Sequence, residues 1–250
     1  MIGAGGPSPV RRGFPPPWPE FAAAAALLGL LGGLGAAWFA LPLAVLLGGG
    51  GMLAAVCALL THYRPHPARP LGPANRVTLA RAVLVALVTG ALAAPEWARA
   101  HGLLVAAVAG CALLLDGVDG WVARRWRCES AFGACFDMEL DAFLILVLSA
   151  HLLVLGKAGA WVLAIGAMRY VFVGAMLCWP WLGRPLPSSL RRKGVCVWQV
   201  ASLLAGLLPA VAEAAASVLL ALALILLAWS FAVDVRWLRA AQRREAVQSS

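Results

Sequence analysis

Six of the 11 acidic residues in this chain fall between Asp116 and Asp141, in a pattern suited to binding cations. Asp116 and Asp119 are three residues apart, and Asp137 and Asp141 are four apart. At about 100° per residue, each pair leaves one face of a helix. Two antiparallel helices joined by a short turn over 125–133 would aim all four carboxylates at one point. Such a group repels itself and destabilises the fold unless cations intervene. Hard oxygen donors of this kind suit Mg²⁺ or Mn²⁺, which bridge carboxylates and substrate phosphates. Gly117, Gly120 and Gly133 each weaken a helix by about 1 kcal/mol relative to Ala, so their use points to a close approach of backbone or ligand. Arg124 adds a forked cation for phosphate. A lone DxxD at a helix end is most often a solvated cap. Here the argument rests on eight specified residues at fixed spacing, Asp116, Asp119, Gly120, Ala123, Arg124, Gly133, Asp137 and Asp141.

That run resembles the complete signature of the CDP-alcohol phosphotransferase family, D-x2-D-G-x2-A-R-x8-G-x3-D-x3-D. The resemblance covers about residues 73–238. It implies a six-helix membrane enzyme, commonly a homodimer, with its active site near the cytoplasmic face. Such an enzyme moves a phosphatidyl or related group from a CDP-linked donor to an alcohol and releases CMP. Carried over residue by residue, it implies Asp116, Asp119, Asp137 and Asp141 as ligands for Mg²⁺ or Mn²⁺, two ions in all. Asp141 would also be the base that takes the acceptor hydroxyl's proton. Gly120, Ala123, Arg124 and Gly133 would lie against CDP or CMP. Upstream, Asn75, Thr78 and Arg81 match the family's P-N-x2-T-x2-R helix entry and join the nucleotide site, although Ala74 splits the expected Pro-Asn pair. Ser230 and Asp234 are similar in spacing to a pair near the end of the family's last helix.

The resemblance further implies CDP-diacylglycerol as donor, and a direct attack on the lipid-side phosphorus. Paired metal ions generally assist such in-line displacements by holding oxygens on both sides. For the acceptor, Arg169 is the one basic residue inside an apolar block, where an isolated Arg faces a polar cavity or snorkels out. With Lys193 it would grip an acceptor phosphate, which leans the acceptor toward a phosphorylated polyol such as glycerol 3-phosphate or inositol phosphate. The family's pattern around Lys193 is only partly kept, and Tyr170 stands where glycerol-phosphate enzymes usually have Glu. The alternatives are a choline- or ethanolamine-type CDP-alcohol phosphotransferase acting on a lipid alcohol, and, from another class, a cation-coupled transporter. A transporter would carry its carboxylates at mid-span on inverted repeats, and the sequence shows neither feature. A membrane prenyltransferase lacks the Ala123-Arg124 and Gly133 elements. The intact Asp set speaks against an inactive scaffold.

The elements that must position these residues are helices in a membrane. With 62% hydrophobic and 12% charged residues and a mean hydropathy of +0.86, the chain departs from soluble domains, which carry about 25% charged residues. The apolar residues come in blocks near the ~20 residues needed to cross a bilayer. Residues 21–63 are almost uncharged and break near Pro42, giving two spans. Further blocks at 77–95, 102–123, 135–156, 158–180, 195–211 and 214–235 give six more. The expected fold is therefore an all-α, polytopic transmembrane helical bundle. In this division a Pro/Gly-rich arm (1–19) precedes two additional N-terminal spans (20–63), a basic linker (64–75), a six-helix domain (76–238) and a tail (239–250).

Seventeen Lys and Arg fall in the arm, the tail and alternate loops, against two, Arg99 and Lys157, on the other side. The positive-inside rule then puts both termini and the Asp cluster in the cytoplasm, for instance at a bacterial inner membrane. The net charge of +9 is accounted for by topology and anionic lipid, so no nucleic-acid partner is expected. The six cysteines form no CxxC pair, and no zinc site is expected.

Overall fold

A computed structural model describes residues 17–63, 72–125 and 131–248, with side chains throughout except at 72–74, 118–124, 131 and 244–248. Nine α-helices account for nearly all of these residues, and there is no strand among them. The helices are α1 (Trp18–Phe39), α2 (Leu43–Tyr63), α3 (Gly72–Ala91), α4 (Pro95–Ala100), α5 (Gly102–Arg125), α6 (Ala131–Val154), α7 (Leu163–Cys178), α8 (Leu190–Leu207) and α9 (Glu213–Gln248). Each of the eight expected spans corresponds to one long helix, and α4 is a short extra piece between α3 and α5. Among the described residues, four segments are long and apolar enough to cross a membrane: Trp18–Phe39, Leu43–Tyr63, Ala160–Cys178 and Glu213–Arg243. The chain is an integral membrane protein. The remaining long helices, α3, α5, α6 and α8, carry the Asp and Arg residues of interest, which lowers their hydropathy.

Helix α3 is central. It packs against α1, α2, α5 and α6, and Leu79, Ala82, Val83, Val85, Ala86, Val88 and Ala91 are all buried along it. Small residues set the contact with α2. A Cβ on Gly49 would lie 2.6 Å from Ala86 O, and one on Gly90 would run into Val45 O. Gly48 and Gly49 of α2 thus serve packing within the chain, as small-residue seams do between membrane helices.

Polar ties fix the other helices. Buried His151 of α6 donates from Nε2 to Val88 O of α3 at 2.8 Å. At the far end, Lys157 Nζ donates to Val211 O at 2.6 Å, and Ser217 Oγ donates to Lys157 O at 3.0 Å. Helix α6 stops at Gly156, whose φ of +72° is the left-handed conformation that glycine adopts without cost at a helix C-terminus. Arg76 pairs with Glu20 at 3.0 Å, and Trp97 Nε1 donates to Phe39 O at 2.9 Å, so α1 is held to α3 and to α4.

Candidate active site

Helices α3, α5 and α6 bring the site together. Asn75, Thr78 and Arg81 recur every three residues on α3 and so share a face. Thr78 and Arg81 are buried there, and Asn75 is half-buried. Arg81 is 1% exposed, and its guanidinium lies between α5 and α6. Nε donates to Ala112 O at 3.1 Å, one turn before Asp116 on α5. Nη1 meets Asp116 Oδ1 at 3.1 Å and donates to Asp137 Oδ1. Nη2 donates to Asp141 Oδ1.

Asp137 and Asp141, four residues apart on α6, therefore face Asp116 of α5, as the helical spacing requires. One donor oxygen from each of the three lies within 4.8 Å of the others. The carboxylates are 33–37% exposed, so the cluster is open to solutes on the side away from Arg81. Three carboxylates against one guanidinium leave an excess of negative charge on hard oxygens. That donor set fits Mg²⁺ or Mn²⁺.

Over this same stretch the chain matches the family model for CDP-alcohol phosphatidyltransferase, along residues 71–233. The chain belongs to that family. No individually curated protein and no solved structure matches it. It is accordingly a membrane transferase of substituted phosphate groups, with α1 and α2 lying outside the matched region.

The other sequence-predicted residues of this family member are placed as follows. Asp119, Gly120, Ala123 and Arg124 lie on the last turns of α5, but their side chains are outside the described ones. Gly133 is half-buried in the first turn of α6. Arg81, assigned from the resemblance to the nucleotide site, has its guanidinium on the three carboxylates. Arg169 of α7 forms an ion pair with Glu139 of α6, and its Nε is buried without a hydrogen-bond partner among the described residues. Its guanidinium turns to the neighbouring helix α6. Lys193 is exposed in the first turn of α8. The five described cysteines are unpaired, and Cys128 lies outside the described residues.

Two contacts escaped sequence reasoning. No local pattern pairs Glu139 with Arg169, because 30 residues and a loop separate them. Arg191 and Arg192, read as topology marks, bind Asp234 of α9 at 2.5 and 3.3 Å. Arg191 Nη1 also donates to Ser230 O and Oγ at 2.6 and 2.5 Å. Its guanidinium stands 5.5 Å from the ring centre of Trp229, within cation–π range. The available signal was the four-residue spacing of Ser230 and Asp234, which puts both on one face of α9. This node ties the start of α8, which also packs on α5 and α6, to the last helix.

Proposed function

We propose that this family member transfers a phosphatidyl group from CDP-diacylglycerol to a small alcohol, with a divalent metal and release of CMP. The observation that carries the reading is the convergence of Asp116, Asp137 and Asp141 on one point beside Arg81. A pyrophosphate donor needs cations around its oxygens and a base near the attacking hydroxyl. Asp116, Asp119 and Asp137 would hold the metal, with Asp141 as a fourth ligand. Bound there, Mg²⁺ or Mn²⁺ supplies charge neutralisation of the phosphates. Asp141 takes the acceptor's proton as its oxygen bonds to the lipid-side phosphorus, while the bond from that phosphorus to CMP breaks. Gly120, Ala123, Arg124 and Gly133 form the nucleotide's bed, together with Asn75 and Thr78. The charge bias of the loops supports a cytoplasmic position for this end of the bundle.

The test is CMP release from CDP-diacylglycerol by purified protein in detergent, with Mg²⁺ or Mn²⁺. The acceptor panel is glycerol 3-phosphate, inositol phosphate, inositol, serine and phosphatidylglycerol. Acceptor-dependent release that EDTA abolishes supports the reading and names the acceptor. Release only from CDP-choline or CDP-ethanolamine with diacylglycerol would replace it with the lipid-alcohol alternative.

One contact bears on the acceptor. Glu139 already neutralises Arg169, so an acceptor phosphate binding at Arg169 has to compete with it. With a phosphorylated polyol as acceptor, Glu139→Gln should lower its KM by about tenfold, the size of one modest charge–charge interaction, and leave the KM for CDP-diacylglycerol unchanged. An unchanged acceptor KM would take Arg169 out of the acceptor site.

A further inference from the structure

Arg81 has an arrangement that nucleotide binding does not explain. A guanidinium that recognises a diffusible phosphate has to present its N–H groups to the space the ligand enters. Arg81 presents its groups inward. Nε is spent on Ala112 O, Nη1 on Asp116 and Asp137, and Nη2 on Asp141. The side chain is 1% exposed, against 33–37% for the three carboxylates. Solutes therefore reach the cluster from the carboxylate side, with the guanidinium behind it. In each case the acid uses its Oδ1 on Arg81.

We infer that Arg81 is a resident cation of the metal site, holding Asp116, Asp137 and Asp141 together when divalent metal is absent and competing electrostatically with the metal for them. It is a positioning residue for the transfer reaction, because it acts through the carboxylates. The inference rests on the proposed metal dependence and deepens it. Its physical basis is charge: three carboxylates whose donor oxygens crowd within 4.8 Å cannot stay together uncompensated in a helical bundle. A buried guanidinium offers the fixed fork that can serve three acids at once. The same positive charge opposes a divalent cation binding to the same acids. The site is thus assembled before metal arrives, and metal affinity is set below what three bare carboxylates would give.

The sign of the effect separates this role from a merely structural one. A residue that only shapes the site weakens metal binding when removed, whereas a competing cation strengthens it. The experiment is Mn²⁺ binding to purified protein in detergent, without substrate, followed by loss of the free-Mn²⁺ EPR signal. The unfolding temperature is measured alongside, with and without saturating Mn²⁺. Arg81→Gln removes the charge, and Arg81→Lys keeps it. Arg81→Gln should bind Mn²⁺ about tenfold more tightly than the wild type. It should unfold at a lower temperature without metal and regain most of the difference at saturating Mn²⁺. Arg81→Lys should bind close to the wild-type affinity and retain more metal-free stability than Arg81→Gln. Unchanged or weaker Mn²⁺ binding by Arg81→Gln, with binding by the wild type intact, would overturn this role and leave the metal reading standing. Failure of Arg81→Gln to fold even with Mn²⁺, with Arg81→Lys binding tenfold more weakly than wild type, would also overturn it. No Mn²⁺ binding by either wild type or Arg81→Gln would overturn the metal reading, and this role with it.

Discussion

Asp141→Asn is expected to lower acceptor-dependent CMP release by about 10³-fold, within the range for loss of a general base. The substitution changes little else. Asparagine keeps the shape of the side chain and still offers Arg81 Nη2 an oxygen to donate to, so the tie between α3 and α6 survives. It also removes one of three mutually repelling charges, which by itself favours the folded state. What it loses is the ability to accept a proton, along with much of its strength as a cation ligand. Initial rates at saturating donor and acceptor check the first point, and unfolding temperature in detergent checks the second. A rate within tenfold of wild type would remove Asp141 from the base role and turn attention to Asp137, its neighbour one helical turn away.

The helices and the carboxylate cluster were legible in the sequence for different reasons. Apolar blocks mark where a chain can cross a bilayer, and all eight became long helices, but hydropathy does not mark helix ends. Helix α9 runs to Gln248, well past the apolar limit near 235, because the Ala-, Arg- and Gln-rich stretch that follows is made of strong helix formers. Helix α3 begins at Gly72, inside the stretch read as linker, since Pro73 is well suited to a first turn that needs no backbone donor. The facing of Asp137 and Asp141 follows from helical periodicity alone, and their meeting with Asp116 follows from the short connection between α5 and α6. Arg81 meets the same cluster from 56 and 60 residues away, and no local period encodes that. Glu139 with Arg169, and Asp234 with Arg191, are likewise pairings of separate helices. They depend on which faces pack together, which a single sequence does not state.

The packing of α2 on α3 leads to the second large effect, an expected loss of about 3 kcal/mol of stability in Gly90→Leu, the upper part of the range for overpacking a tight contact. A Cβ at Gly90 would collide with Val45 O and lie 2.8 Å from Gly49 N. Both are backbone atoms, which cannot rotate aside as a flexible side chain can. The helices would have to separate along the seam, and in a membrane their association depends on that close approach, since lipid solvates apolar side chains as well as a neighbouring helix does. Gly51 is the control. It is exposed on α2, the other helix of the pair, with nothing within 4 Å of its Cβ position, so Gly51→Leu should stay within about 0.5 kcal/mol of wild type. Unfolding in detergent compares the two. Equal stabilities would mean that α2 does not pack on α3 through this seam. The same comparison made on CMP release reaches the active site. Gly90 and Arg81 share one rigid helix nine residues apart, so a displacement of α3 at Gly90 is carried to the guanidinium among the carboxylates. Gly90→Leu should therefore lose activity along with stability, while Gly51→Leu keeps both. Loss of stability with full activity would mean that α3 bends between the two positions and that the two helices outside the family match stabilise the bundle without setting the geometry of its site.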